Sequence, residues 1–186
     1  MHLKQSRLSP YARGGFYFGA FFGALGLYIP FLSLHFRELG LTGGQIGWTA
    51  VVTPIVMAVV SLPVSTWADK LQRRRLFLQI CLAGCVILFW LGRLPTTFGG
   101  ILIWYVAFAS FNAPSISLAN GLIARMAVRH QLTFGGMRLW GSIIFSVLSV
   151  GFGFVIETYG LLLMFPAAAV IFAVAWLMAG LLEEPP

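Results

Sequence analysis

Hydrophobic positions run unbroken over long distances in this chain. Six stretches hold no Asp, Glu, Lys or Arg: residues 14–36, 45–68, 76–92, 94–124, 139–156 and 158–182. Neither the twofold alternation of a half-buried strand nor the stripe of a surface helix is present. Most of these runs approach or exceed the ~20 residues that cross ~30 Å of hydrocarbon as an α-helix. An open sheet leaves unpaired backbone groups in lipid, so runs of this kind form helices. The expectation is an all-α membrane protein with six transmembrane helices in one bundle, at about 14–36, 45–68, 76–92, 97–124, 139–156 and 158–182. The first run is too long for a signal-peptide core and no small-residue cleavage site follows it, so it reads as a retained span.

Composition agrees with that pattern. Of 186 residues, 59% are hydrophobic and 9% are charged, against roughly 25% charged in soluble domains. The net charge of +7 would suggest nucleic acid in a soluble chain. Here the basic residues lie between the apolar runs, and topology explains them instead. Lys4, Arg7, Arg13, Lys70, Arg73, Arg74, Arg75, Arg125, Arg129 and Arg138 fall on one side, leaving Arg37 and Arg93 for the other. The positive-inside rule puts the first group, and with it both termini, in the cytoplasm.

Inside the spans, Pro30, Pro54, Pro63, Pro114 and Pro166 each remove a backbone donor and can kink a helix. Gly15, Gly19 and Gly23 form a small-residue stripe on the first span, and Ser142, Ser146, Ser149 and Gly153 another on the fifth. Such stripes admit close helix packing, or serve as surfaces across which helices slide. Cys81 and Cys85 share one helix face and suit neither a disulfide nor, alone, a metal site.

One loop carries unexpected chemistry. In Ser65-Thr66-Trp67-Ala68-Asp69-Lys70-Leu71-Gln72-Arg73-Arg74-Arg75, topology demands the cations but not the acid at the foot of the second span. Asp69 can pair with an arginine and latch neighbouring helices. The loop resembles the G-x-x-x-D-[RK]-x-G-x-[RK]-[RK] pattern of the major facilitator superfamily. It keeps Asp69, Lys70, Arg74 and Arg75 and departs at Ser65 and Gln72, where the pattern has glycine. Two further stretches are similar to the branch holding lactose permease, nucleoside–proton symporters and the phenylpropionate transporter. They are Ile29-Pro30-Phe31-Leu32-Ser33-Leu34-His35-Phe36-Arg37-Glu38-Leu39-Gly40-Leu41-Thr42 and Phe134-Gly135-Gly136-Met137-Arg138-Leu139-Trp140-Gly141-Ser142.

The resemblance implies the N-terminal six-helix half of a twelve-helix, proton-coupled transporter in the cytoplasmic (inner) membrane. It also implies that the C-terminal half is absent, that a missing half or a second copy is the partner, and that residues 1–186 are a fragment inactive alone. Glu183-Glu184-Pro185-Pro186 would then begin a central linker. The matching arginine of lactose permease works with a carboxylate eighteen positions earlier, where this chain has Asn120. Asn120 cannot neutralise Arg138, so an anionic substrate, for example an aromatic carboxylate, is expected on Arg138, Asn120 and Asn112. The alternative is a sugar or nucleoside symporter half, or a structural membrane module. Asn112, Ser115, Ser117 and Asn120 surround Pro114, which could open the fourth helix to a cavity.

His35 stands three residues before Glu38 and could relay protons, although its place near the outer interface favours a solvated ring. Enzymatic chemistry is not expected. Gly141-Ser142 lacks the second glycine of a nucleophile elbow, and His2, His35 and His130 are too scattered to ligate a metal. No cofactor is implied.

Overall fold

The six helices start and stop at local signals that the chain carries itself. Ser9 accepts a hydrogen bond from the Ala12 amide and Pro10 opens α1, which runs Pro10–Glu38. Thr42 and Gln45 form a capping box at the start of α2 (Gly43–Lys70). Next come α3 (Arg74–Leu91), α4 (Phe98–Arg129), capped by Thr97, and α5 (Phe134–Tyr159). A 3-10 turn, Leu161–Leu163, then leads into α6 (Met164–Ala179). These bounds come from a computed structural model that describes residues 8–184. Lys4, Arg7 and the Pro185-Pro186 end lie outside the described residues.

All six helices are long and apolar enough to span a bilayer. Neighbours run in the order α2, α4, α3, α6, α1, α5, as judged by which helices pack together. α1 is the most enclosed: 61% of its apolar window is buried, against 17% for α2 and for α5 at the two ends of the series. The core is aromatic. Phe89 of α3 meets Tyr28 of α1 at 4.6 Å and Phe108 of α4 at 4.8 Å, while Phe165 and Phe172 of α6 close the same cluster. The Trp104 indole stays in that cluster because its N–H donates to the Leu88 carbonyl at 2.6 Å.

The glycine stripe of α1 is a packing surface. Gly15, Gly19 and Gly23 lie against Trp140, Ile144 and Leu148 of α5. At Gly26 the backbones come closest, and Ser149 donates to the Gly26 carbonyl at 3.1 Å. Only the deeper part of the serine stripe, Ser149 and Gly153, shares this role. Ser142 and Ser146 are exposed, and Ser146 returns its hydrogen bond to the Ser142 carbonyl of its own helix. Cys81 and Cys85 are buried free thiols.

Pro114 does not open α4, which is helical without interruption from Phe98 to Arg129. Its neighbours are buried, and the Ser115 hydroxyl donates to the Phe111 carbonyl at 2.8 Å within the helix. The basic loops share one end of the bundle, since ion pairs join Asp69, Arg74 and Arg125 there and join Arg13, Arg75 and His130 to Glu183 and Glu184.

Candidate functional site

The acid in the basic loop is a latch. The Arg74 guanidinium, at the first position of α3, donates from Nε and Nη2 to both oxygens of Asp69 in the last turn of α2. Arg125 of α4 approaches the same carboxylate at 3.8 Å. Three helices therefore converge on one anion. A bidentate pair fixes orientation as well as charge. The Arg74 guanidinium packs over Gly121, where a Cβ would strike its Nη1. A cleft of about 130 Å³ lined by Ala68, Asp69, Gln72, Arg74 and Arg125 marks this junction.

The other two residues that the loop keeps of the family pattern, expected to gate the cytoplasmic side with Asp69 and Arg74, separate from it. Lys70 is exposed, and Arg75 turns away to Glu184, its backbone N–H donating to that carboxylate at 3.2 Å. Arg125 was not among the sequence candidates. Its only signal is the spacing of four residues from Gly121, which places the arginine and the groove for Arg74 on one face.

Arg138 is exposed and occupies the second turn of α5, one turn deeper than the helix mouth expected from sequence. Its guanidinium rests 5.5 Å from the centroid of the Phe22 ring. The contacts of Gly14 with Met137 and of Gly15 with Trp140 set the register of the two parallel helices. Arg138 is therefore level with the early turns of α1, and by reaching Phe22 it turns inward, away from the basic end. Among the described residues no acid pairs with it. An arginine so placed is costly in lipid and requires an aqueous cavity or an anion.

The three substrate candidates sit at different depths along their helices. At ~1.5 Å rise per residue, Asn120 lies about 13 Å and Asn112 about 25 Å from the basic end of α4, with Arg138 about 6 Å into α5. Asn120 is partly exposed. Asn112 is 6% exposed, its Nδ2 lacks a hydrogen-bond partner, and it lies beside Cys85 of α3 with Ser115. The Tyr17 hydroxyl of α1 is likewise buried and unpartnered. The neighbourhood of Asn112 and Cys85 was invisible in sequence because it joins α4 to α3.

His35 is a correction. Its ring is not solvated but 5% exposed, edge-on to Phe165 of α6 at 5.2 Å, with Nδ1 unpartnered. Glu38 is exposed. The last turn of α1 packs its His35 and Phe36 face against the aromatic core, so proximity to the interface does not put every side chain in water.

With this geometry in view, similarity to known proteins decides the family. The sequence profile of the MFS_1 like family matches residues 13–184. The chain belongs to that family. It is thus a major facilitator half, with six helices in one bundle. Among similar proteins are the uncharacterized transporter YwbF of Bacillus subtilis, 30% identical over 148 residues, and the maltose permease of Geobacillus stearothermophilus, 31% identical over 143 residues. These alignments take in 79% and 73% of the facilitator half but only 37% and 35% of the relatives. The crystal structure of the nucleoside transporter NupG superposes with a TM-score of 0.83 at 18% identity, covering 96% of this chain and 45% of that one. That likeness is one of fold.

Proposed function

We propose that this facilitator half forms one wall of a secondary active transporter, proton-coupled, for a small organic anion such as an aromatic carboxylate. The observation that carries the reading is Arg138, exposed on a spanning helix, turned inward onto Phe22 and unmatched by any described acid. A guanidinium holds a carboxylate through two parallel hydrogen bonds, which a lysine cannot reproduce. Phe22, half-buried beneath it, offers a ring face to an aromatic substrate. Asn120, partly exposed and deeper in the bundle, is the nearer of the two asparagine candidates; Asn112 would support it from within. His35 and Glu38 are the proton-coupling candidates of this half.

The other wall comes from a second six-helix half or another copy, because alternating access rocks two bundles around a central site. The Asp69–Arg74 latch gates the basic end, with Lys70 and Arg75 in the same loop but turned away from it. Orientation in an inner membrane with both termini cytoplasmic follows from the one-sided basic loops. Carriage of a solute rather than catalysis is the role, in keeping with relatives named transporter and permease.

Uptake by the transporter containing Arg138→Lys tests the anion reading. We expect affinity for an aromatic carboxylate such as phenylpropionate to fall at least tenfold, with protein level in the membrane unchanged. Unchanged affinity overturns it. A second reading, a sugar or nucleoside carrier, is favoured by the maltose permease similarity. It predicts that maltose or a nucleoside, and not the carboxylate, competes for binding.

A further inference from the structure

Acids are scarce in this chain, five among 186 residues. Two stand side by side just after α6, where residues 183 and 184 each engage other helices. Glu183 accepts from Arg13 at the start of α1 at 3.3 Å, and its second oxygen lies 2.8 Å from Nε2 of His130 at the C-terminal cap of α4. Glu184 accepts from the Arg75 amide at 3.2 Å and pairs with that side chain at 3.9 Å. Arg75 in turn reaches back to the Gly180 and Leu182 carbonyls, both at 3.5 Å, where it satisfies the end of α6. The pairs are substantially shielded: Arg13 is 14% exposed and both glutamates 26%.

Four helices are tied by these two residues. α5 is not among them, and among the described residues no ion pair reaches it. On its α6 side it borders an apolar cavity of about 810 Å³ floored by α1, into which Trp140, Ile144 and Leu148 face. It is held to α1 by the close packing and the Ser149–Gly26 hydrogen bond already described, with no charged pair, and its far end leaves through Gly160, whose φ of 87° is left-handed.

We propose that Glu183 and Glu184 form an ionic strap that locks the basic ends of α1, α3, α4 and α6 into one block and leaves α5, with Arg138, outside it. Arg74 and Arg75 divide the work: Arg74 serves the Asp69 latch, which adds α2 to the block, and Arg75 serves the strap. The segment that leaves α6 is thereby anchored beneath the bundle, so movement of α6 is felt at the basic ends of three other helices, whereas no charged pair carries it to α5.

Amide hydrogen exchange on the chain in detergent micelles tests this. In a Glu183→Gln/Glu184→Gln variant, we expect residues 176–184, the first turn of α3 and the last turn of α4 to exchange at least tenfold faster. Exchange over residues 134–141 of α5 should not change. The exchanged-charge variant Arg13→Glu/Glu183→Arg should restore protection at residues 176–184 relative to Glu183→Arg alone. Unaltered exchange in the double glutamine variant overturns the strap, as does equal loosening of α5. If that variant fails to insert, the charge pair decides: rescue supports the strap, and absence of rescue overturns it.

Discussion

At the scale of single residues, the closest helix contact in the bundle makes a sharp demand. A Cβ on Gly26 would lie 2.8 Å from the Phe145 carbonyl oxygen, a backbone atom that cannot step aside. One on Gly19 would meet the Ile144 side chain at an ordinary 3.5 Å. Gly26→Ala is therefore expected to destabilise the bundle by about 1–3 kcal/mol, while Gly19→Ala stays near neutral. The two buried cysteines supply the measurement: a thiol-reactive dye should label them only as the fold opens, earlier on heating for Gly26→Ala. Equal unmasking temperatures would refute the argument. The Gly15, Gly19 and Gly23 stripe could be read from spacing alone because a helix repeats its faces regularly. Gly26 escaped that reading, as did the outward direction of Ser142 and Ser146. Which side of α5 meets α1 is a property of the pair of helices, and neither sequence contains it.

At the scale of elements, charge-free runs found six spans but ended several of them early and began the sixth too soon, since residues 158–159 belong to α5 and α6 starts at Met164. α4 continues to Arg129 and α5 begins at Phe134, so the helices project beyond the apolar stretch at the basic end. Hydropathy reports the hydrocarbon thickness, whereas capping decides where a helix stops. Three of the helices stop in the same way. After α1, Gly40 is left-handed, its amide bonds the Arg37 carbonyl, and Leu41 bonds Phe36. Gln72 after α2 and Gln131 after α4 repeat this Schellman pattern, with φ of 54° and 53°. Glycine is the residue that takes this conformation without strain. The departure from the family loop pattern at Gln72 is thereby explained: the position calls for glycine, and this chain carries glutamine at a cost. Gln72→Gly should stabilise the half by about 1 kcal/mol, which corresponds to roughly 2–4 °C in a chain of this size. A melt showing a lower midpoint for Gln72→Gly would contradict the turn geometry.

At the scale of the whole molecule, the sequence made fold and family readable because lipid as solvent imposes so few solutions. The candidate site was less readable. Arg138 was found by resemblance and Asp69 as an acid out of place, yet Arg125 and the Glu183–Glu184 strap depend on helices that meet only in three dimensions. Both acid clusters bear on orientation. The latch and the strap place eight described basic or acidic partners at one end: Asp69, Arg74, Arg125, Arg13, Arg75, His130, Glu183 and Glu184. These pairs neutralise part of the positive charge there, and in a net-charge rule that would weaken the topological signal. Retention follows Lys and Arg, with Asp and Glu contributing little, so the paired cations should still hold this end in the cytoplasm. Fusing a fluorescent protein after residue 184 separates the alternatives. The fusion is expected to fluoresce, as folding on the cytoplasmic side allows, and an alkaline phosphatase fusion at the same point to be inactive. Replacing Arg73, Arg74 and Arg75 together by glutamine removes both the cations and two ionic anchors, and should produce a mixed population with some phosphatase activity. If the unaltered chain shows phosphatase activity and no fluorescence, the basic end faces outward, and the Asp69 latch would then guard the opposite mouth of the transport path.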